Sequence, residues 1–119
     1  MSMSFYNNKV VVVTGGSDGI GKALIGILIE SGAKVATCGR HYDKLYALQL
    51  EYSQFMLHTM VCDISQEEEC KRFIHSTVET FGSIDVLINN AGISMRSLFD
   101  DVNTDVIRRL MDVNFMGAV

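Results

Sequence analysis

Thr14-Gly15-Gly16-Ser17-Asp18-Gly19-Ile20-Gly21 follows the apolar run Val10-Val11-Val12-Val13 and opens an amphipathic segment over residues 20–31. The order is strand, glycine turn, helix. Gly15 can take a backbone conformation that other residues avoid. Gly19 and Gly21 remove side chains where a phosphate, or the strand beneath, must approach the backbone. The first-turn N–H groups of the helix then face an anion, and the helix dipole favours negative charge at that end. The stretch therefore predicts a site for the pyrophosphate of a dinucleotide.

The glycines at 15, 19 and 21 read G-x-x-x-G-x-G, which differs from the G-x-G-x-x-G of many dehydrogenases. A second register, residues 16–23, reads G-x-x-x-x-G-K-A, short of a P-loop by one residue. A P-loop needs Ser or Thr after the lysine to hold magnesium, and here that position is Ala23. A glycine turn without any ligand is the third reading of the motif taken alone.

Outward from this turn, strands alternate with helices. Residues 9–14 form the first strand, and its valines suit a central parallel position. Ile20, Ala23, Leu24, Ile27 and Leu28 mark the buried stripe of the first helix, which Gly32 ends. Residues 34–38 are a second strand, and 42–52 a second helix with Leu45, Leu48 and Tyr52 on one side. A third strand covers 57–62. Ser65 is placed to cap a third helix, with Glu67, Glu68 and Glu69 in the first turn where the dipole favours them. That helix carries Cys70, Phe73, Ile74, Thr77, Val78 and Phe81 at helical spacing and closes at Gly82. Residues 85–88 are a fourth strand, at the sheet edge. Residues 103–119 read as a fourth helix, with Val102, Val106, Leu110 and Val113 along one face and Ile107, Met111 and Phe115 on another. Four β–α units in alternation predict an α/β fold, a Rossmann-type doubly wound parallel sheet. The expected single domain spans 1–119 and ends within the fourth helix.

The chain has 119 residues, enough for one core, and 48% are hydrophobic, so it is globular. With 10 basic and 14 acidic residues the net charge is −4. No basic stripe points to nucleic acid. The start lacks the basic and apolar regions of a secretory signal, and the apolar runs fall short of a membrane span. Cys38, Cys62 and Cys70 form no C-x-x-C and leave an odd count, against a disulfide framework or a zinc site. They read as buried reduced thiols of a cytoplasmic protein, with Cys38 and Cys62 near the ends of neighbouring strands. His41, His58 and His75 share no ligand spacing and read as surface or rim residues.

The second strand ends Cys38-Gly39-Arg40-His41. An NAD site places an acidic residue here for the ribose 2′-hydroxyl. Arg40 offers a planar fork of donors to a 2′-phosphate instead. Ser17 can add a hydroxyl donor, and Asp18 is placed to cap the first helix. NADP(H) is therefore the expected cofactor, ahead of NAD.

The glycine motif, Asp63 just past a strand, Asn89-Asn90-Ala91-Gly92, and Asn114 within Val113-Asn114-Phe115-Met116-Gly117 together resemble the short-chain dehydrogenase/reductase family. The resemblance spans the chain and covers the N-terminal portion of the family's fold. It implies strand order 3-2-1-4. It implies that Asp63 hydrogen-bonds the adenine amino group and Ile64 lines the adenine pocket. Asp63-Ile64-Ser65 also suits the turn before the third helix, a compatible role. By the same resemblance, the Asn90 backbone, Ala91 and Gly92 lie beside the adenosine ribose. Asn114 would bend the fourth helix and hold a water of the proton relay.

The family's chemistry uses a serine and a Tyr-x-x-x-Lys. Tyr6, Tyr42, Tyr46 and Tyr52 are followed four residues on by Val10, Tyr46, Leu50 and Met56. None is lysine. The resemblance places these catalytic residues past Val119. It thus implies an NADP(H)-dependent oxidoreductase, moving hydride between nicotinamide and a carbonyl or secondary alcohol, whose cofactor-binding portion is this chain. Alone, the chain is expected to be inactive. The alternative is a non-catalytic NADP(H)-binding or sensing module. Residues 93–99 should border the substrate mouth, where Met95, Leu98 and Phe99 favour apolar compounds. In the family the fourth helix commonly packs on a second subunit, so a homo-oligomer is expected.

Overall fold

A computed structural model describes residues 3–15, 19–53, 55–89 and 112–114. Among these, five strands form one parallel sheet: β1 (Val10–Thr14), β2 (Lys34–Gly39), β3 (Leu57–Val61), β4 (Val86–Asn89) and β5 (Asp112–Asn114). Their order is β3-β2-β1-β4-β5. The expected order 3-2-1-4 is present. Three helices connect the strands: α1 (Gly19–Glu30), α2 (Tyr42–Glu51) and α3 (Glu67–Phe81).

β1 is buried along its whole length. It pairs with β2 from Val10↔Lys34 to Thr14↔Cys38, and with β4 from Val11↔Val86 to Val13↔Ile88. Its side chains alternate between two cores, as the two-residue period of a strand requires. Val10 and Val12 join Ala36, Leu87, Phe73 and Ile74 beneath α3. Val11 and Val13 join Val35, Leu57, Ile25, Leu28 and Leu48 beneath α1 and α2. A strand covered on both faces wants apolar, β-branched residues at every position, which explains the unbroken valines.

The α3 stripe lies where its spacing put it, with Cys70, Phe73, Ile74 and Thr77 buried. Gly82 ends the helix in the left-handed conformation at φ 90°, its N–H bonded to the Val78 carbonyl at 2.7 Å. The start differs from expectation. Gln66 occupies the cap position without a side-chain bond. Ser65 is engaged elsewhere, as its N–H and hydroxyl both donate to Asp63 Oδ1 at 3.0 and 2.7 Å. The local turn formed around Asp63 outcompetes the helix cap for that hydroxyl.

α1 is rotated from its expected phase. Gly21, Ile25, Gly26 and Leu28 face inward, whereas Ile20 and Ile27 are 51% and 48% exposed. Ala23 is exposed as well, and Leu24 is half-buried. The helix is apolar nearly all round, so hydrophobicity alone leaves its phase undetermined. Close packing decides it. A Cβ on Gly26 would lie 2.7 Å from the Tyr52 hydroxyl, so the glycine admits the chain that leaves α2.

Two further corrections concern the C-terminal part. Residues 112–114, expected within a fourth helix, are the strand β5, paired Leu87↔Asp112, Ile88↔Val113 and Asn89↔Asn114. Asn114 is therefore a strand residue and not a mid-helix one, and β4 is interior rather than an edge. Spacing of three and four at Val102, Val106, Leu110 and Val113 suggested a helix, but the open side of β4 offers backbone donors and acceptors that a strand satisfies. The rest of 103–119, including the expected outer face Ile107, Met111 and Phe115, lies outside the described residues. So do the 93–99 segment and the chain end.

Candidate dinucleotide site

Because all strands run parallel, their carboxyl ends gather on one side. The order reverses between β1 and β4, which have crossovers to opposite faces, and a crevice forms outside the strand ends at such a point. Gly15 leaves β1 there with φ 65°, and Gly19 opens α1 with φ 63°. Both conformations favour glycine. Among the described residues, nothing stands within 4 Å of where a Gly19 Cβ would be. Gly21 is buried in the first turn. The N–H groups of Gly19, Ile20 and Gly21 begin a helix and lack intrahelical partners, as at every helix start. This donor set suits an anion such as a pyrophosphate.

The ends of β2 and β3 extend this surface. Arg40 is exposed one residue beyond β2. No carboxylate occupies residues 39–41. Asp63 follows β3 by two residues and accepts both Ser65 bonds, while its own N–H donates to Glu69 Oε1 at 2.9 Å. Those Ser65 bonds, first from the hydroxyl and then from the backbone, hold the Asp63 carboxyl below its usual range, and the Arg40 charge adds to the effect. Arg40 and Asp63 thus follow the ends of the adjacent strands β2 and β3, whose last paired residues are Gly39 and Val61. Ile64 is half-buried and packs on the core under α3.

Of the residues singled out in the sequence, the structure brings Gly15, Gly19, Ile20, Gly21, Arg40, Asp63 and Ile64 to the strand ends, and Asn114 ends β5. Ser17, Asp18, Asn90, Ala91 and Gly92 lie outside the described residues.

Three features were not read from the sequence. Asp85 is buried, and its Oδ2 accepts the Val10 N–H at 2.9 Å while its own N–H donates to the Val10 carbonyl at 2.9 Å. It ties the entry of β4 to the entry of β1, fixing the two strands that flank the crevice. A contact over 75 residues has no local signature. Second, His58 is half-buried, not a rim residue: it stacks on Phe73 at 6.4 Å and Nε2 meets the Ser76 hydroxyl at 2.8 Å. Third, Cys38, Cys62 and Cys70, which are free and buried as expected, share one core cluster, so that α3 brings Cys70 to the two strand thiols.

A parallel sheet in this order, with Gly15 leaving β1 and Gly19 opening α1 at its switch point, defines a Rossmann-type fold. The short chain dehydrogenase family model matches residues 9–119. The chain belongs to that family. It is 35% identical over 117 residues to an uncharacterized oxidoreductase of Staphylococcus aureus strain MRSA252, covering 98% of this chain and 51% of that protein. An uncharacterized oxidoreductase of Staphylococcus saprophyticus is 34% identical, with 98% and 48% covered. The chain thus spans about half the length of these curated relatives. Among solved structures it is similar to a short chain dehydrogenase from Bacillus anthracis, at TM-score 0.67 and 38% identity over 76% of this chain and 36% of that one. It is also similar to a glucose dehydrogenase of Caenorhabditis elegans, at TM-score 0.69 and 32% identity over 77% and 41%.

Proposed function

We propose that this chain is the cofactor-binding portion of an NADP(H)-dependent oxidoreductase that moves hydride between nicotinamide and a carbonyl or secondary alcohol. The observation that carries the cofactor reading is the exposed Arg40 one residue past β2, with no acidic residue at the tip of that strand. A carboxylate there would repel a 2′-phosphate, whereas a guanidinium meets it with two parallel donors.

When bound, the nicotinamide supplies the hydride; the protein orients it. The start of α1 would hold the pyrophosphate on backbone N–H groups. Gly15 would let it approach the end of β1. Arg40, aided by Ser17, would hold the 2′-phosphate, and the Asp63 carboxylate would accept from the adenine amino group beside Ile64. Asn90, Ala91 and Gly92 would border the ribose. Asn114 is carried over only as a candidate for the proton path, and its position on β5 does not support the helical role expected of it. With no Tyr-x-x-x-Lys in residues 1–119, the chain holds no tuned general acid of the family's kind, so it would bind without turnover. The substrate would be a small, apolar carbonyl or alcohol compound. The reading is of a homo-oligomer, and of a cytoplasmic location, which the three free thiols support.

The test is a fluorescence titration with NADPH and NADH, for the chain and for Arg40→Ala. Losing a hydrogen bond to a charged group costs about 1.5–3 kcal/mol. That is roughly 10- to 150-fold in Kd for NADPH, with NADH little changed. Equal affinity for both cofactors in the parent chain would refute the assignment.

A further inference from the structure

β3 ends the sheet, with β2 on one side and no strand on the other among the described residues. Its bonds to β2 fix which way each backbone group points. The Val35 N–H donates to the Met56 carbonyl at 2.7 Å, and the Cys62 N–H donates to the Gly39 carbonyl at 2.8 Å. Residues 56, 58, 60 and 62 therefore turn their backbone groups to β2, and 57, 59 and 61 turn theirs outward. The chain closes both ends of this outer edge itself. The Leu57 carbonyl accepts Gln49 Nε2 at 3.0 Å, and its N–H donates to the Ser53 carbonyl at 3.0 Å. Beyond the strand, the Asp63 N–H donates to Glu69 Oε1 at 2.9 Å, and its carbonyl accepts the Gln66 N–H at 2.9 Å. Between these closures Thr59 and Val61 present an outward window of two N–H and two C=O groups.

The window has an apolar surround. Tyr42 and Tyr46 stack at 5.8 Å on α2. With Leu45, Gln49, Thr59 and Val61 they line a groove of about 270 Å³. Leu50 continues the tyrosine stripe by one helical turn, and Phe55 precedes β3. Tyr42, Tyr46, Leu50, Phe55 and Val61 are 63%, 51%, 71%, 88% and 48% exposed. The other large apolar side chains open to this degree among the described residues, Ile20 and Ile27, lie on α1. Residues 57–61 include no Lys, Asp, Glu or Pro, the residues that keep natural sheet edges from pairing.

We propose that this edge is a homodimer interface, in which β3 pairs antiparallel with β3 of a second copy about a two-fold axis at Met60.

The closures select that register. In an antiparallel pair, alternate opposed residues exchange both backbone bonds. With Met60 opposite the second copy's Met60, Thr59 meets Val61 and Val61 meets Thr59. All four open groups on each copy then bond, and no bond within the chain is displaced. An axis at Thr59 would set Val61 against Leu57, whose groups Ser53 and Gln49 already hold. An axis at Val61 would set Thr59 against Asp63, which is likewise engaged. Side chains follow the same logic. Thr59 and Val61 share the α2 face, where the Thr59 hydroxyl donates to Gln49 Oε1 at 2.6 Å. The second copy's Val61 lands beside Thr59 and enters the groove against Tyr46. No two like charges are opposed over residues 59–61. The area also suits a second copy. At about 150–250 Å² for a whole aromatic side chain, Tyr42, Tyr46 and Phe55 alone expose about 300–500 Å². That is a large part of the roughly 800 Å² each partner contributes to a stable interface, before Leu50, Val61 and the strand backbone are added.

This inference is independent of the dinucleotide reading. Light scattering after size exclusion over a dilution series should show the mass rising from 13.2 kDa toward twice that value as concentration rises. Hydrogen exchange followed by NMR should slow at the Thr59 and Val61 amides over the same series, while the Met60 amide, which faces β2, stays unchanged. Val61→Lys places a charge in the groove from an exposed position, so it should keep the parent's far-ultraviolet circular dichroism and remain at 13.2 kDa throughout. Tyr46→Lys, also exposed in the single chain, carries the same expectation should Val61→Lys fail to fold. A monomer at every concentration would overturn the proposal. So would a dimer that persists in the folded lysine variants, or concentration-dependent protection centred on β5 instead of β3. Slow exchange at Thr59 and Val61 at every dilution would also overturn it, since another part of the same chain would then cover the edge.

Discussion

Replacing Asp85 with alanine should destabilise the fold far more than a one-residue change at a strand entry ordinarily does. Asp85 Oδ2 accepts the Val10 N–H at 2.9 Å, and the two residues are 5% and 3% exposed. In Asp85→Ala the Val10 N–H loses its partner in a place water does not reach. A hydrogen bond to a charged group contributes about 1.5–3 kcal/mol, and an orphaned buried donor costs about 1–3 kcal/mol when its partner is removed. These overlap, so the expected loss is about 2–3 kcal/mol. Total stability for a chain this long is about 6–18 kcal/mol, which makes the loss a large fraction. Followed by circular dichroism in urea, with a slope of about 1.5–2 kcal/mol per molar, the midpoint should fall by about 1–2 M. Asp85→Asn keeps an acceptor oxygen and the shape, and should lose about half as much. If both variants stay within about 0.5 kcal/mol of the parent, the reasoning that Asp85 secures β1 to β4 is wrong.

Three further outcomes follow from the packing and the charges. Gly26→Ala places a methyl group 2.7 Å from the Tyr52 hydroxyl; thermal melts should show a loss of about 1–3 kcal/mol despite alanine's better helix propensity, and a gain would refute the close packing. Burial lowers the pKa of His58 from its usual 6.5, so the unfolded chain takes up the proton first. Its contribution to stability is complete above that value and is lost as pH falls below it toward the lower folded-state pKa. Urea midpoints between about pH 7.5 and 5 should therefore fall less in His58→Gln than in the parent, and identical slopes would contradict the burial argument. Finally, NADPH oxidation with varied ketones and aldehydes should show no turnover by residues 1–119, for want of a general acid worth about 10²–10⁴-fold; steady turnover proportional to pure chain would refute this.

The strand, turn and helix start that frame the candidate site were legible because their signals are local. A valine run followed by spaced glycines describes a buried strand, a turn and a helix start without reference to anything distant. The α3 stripe was equally clear, since charged residues separate its apolar positions and leave one phase. On α1 the reverse holds: Ile20, Leu24, Ile25, Ile27, Leu28 and Ile29 surround the helix, and the contact of Gly26 with Tyr52 sets its rotation. The Ser65 cap failed because Asp63, two residues away, offers the same hydroxyl a nearer acceptor. For residues 112–114, helical spacing was outweighed by pairing with β4, a partner that periodicity does not see. The bond of Asp85 to Val10 and the gathering of Cys38, Cys62 and Cys70 in one core cluster are likewise tertiary facts.

The most direct measurement is a heteronuclear NMR titration of the isotope-labelled chain with NADPH. The account predicts that the largest amide shifts fall on Gly15, Gly19, Ile20, Gly21, Arg40, Asp63 and Ile64, around the carboxyl ends of β1, β2 and β3, and that Arg40→Ala removes most of the response at a fixed NADPH concentration. Shifts centred instead on the groove between α2 and β3 lined by Tyr42, Tyr46 and Val61, or none at saturating NADPH, would contradict it.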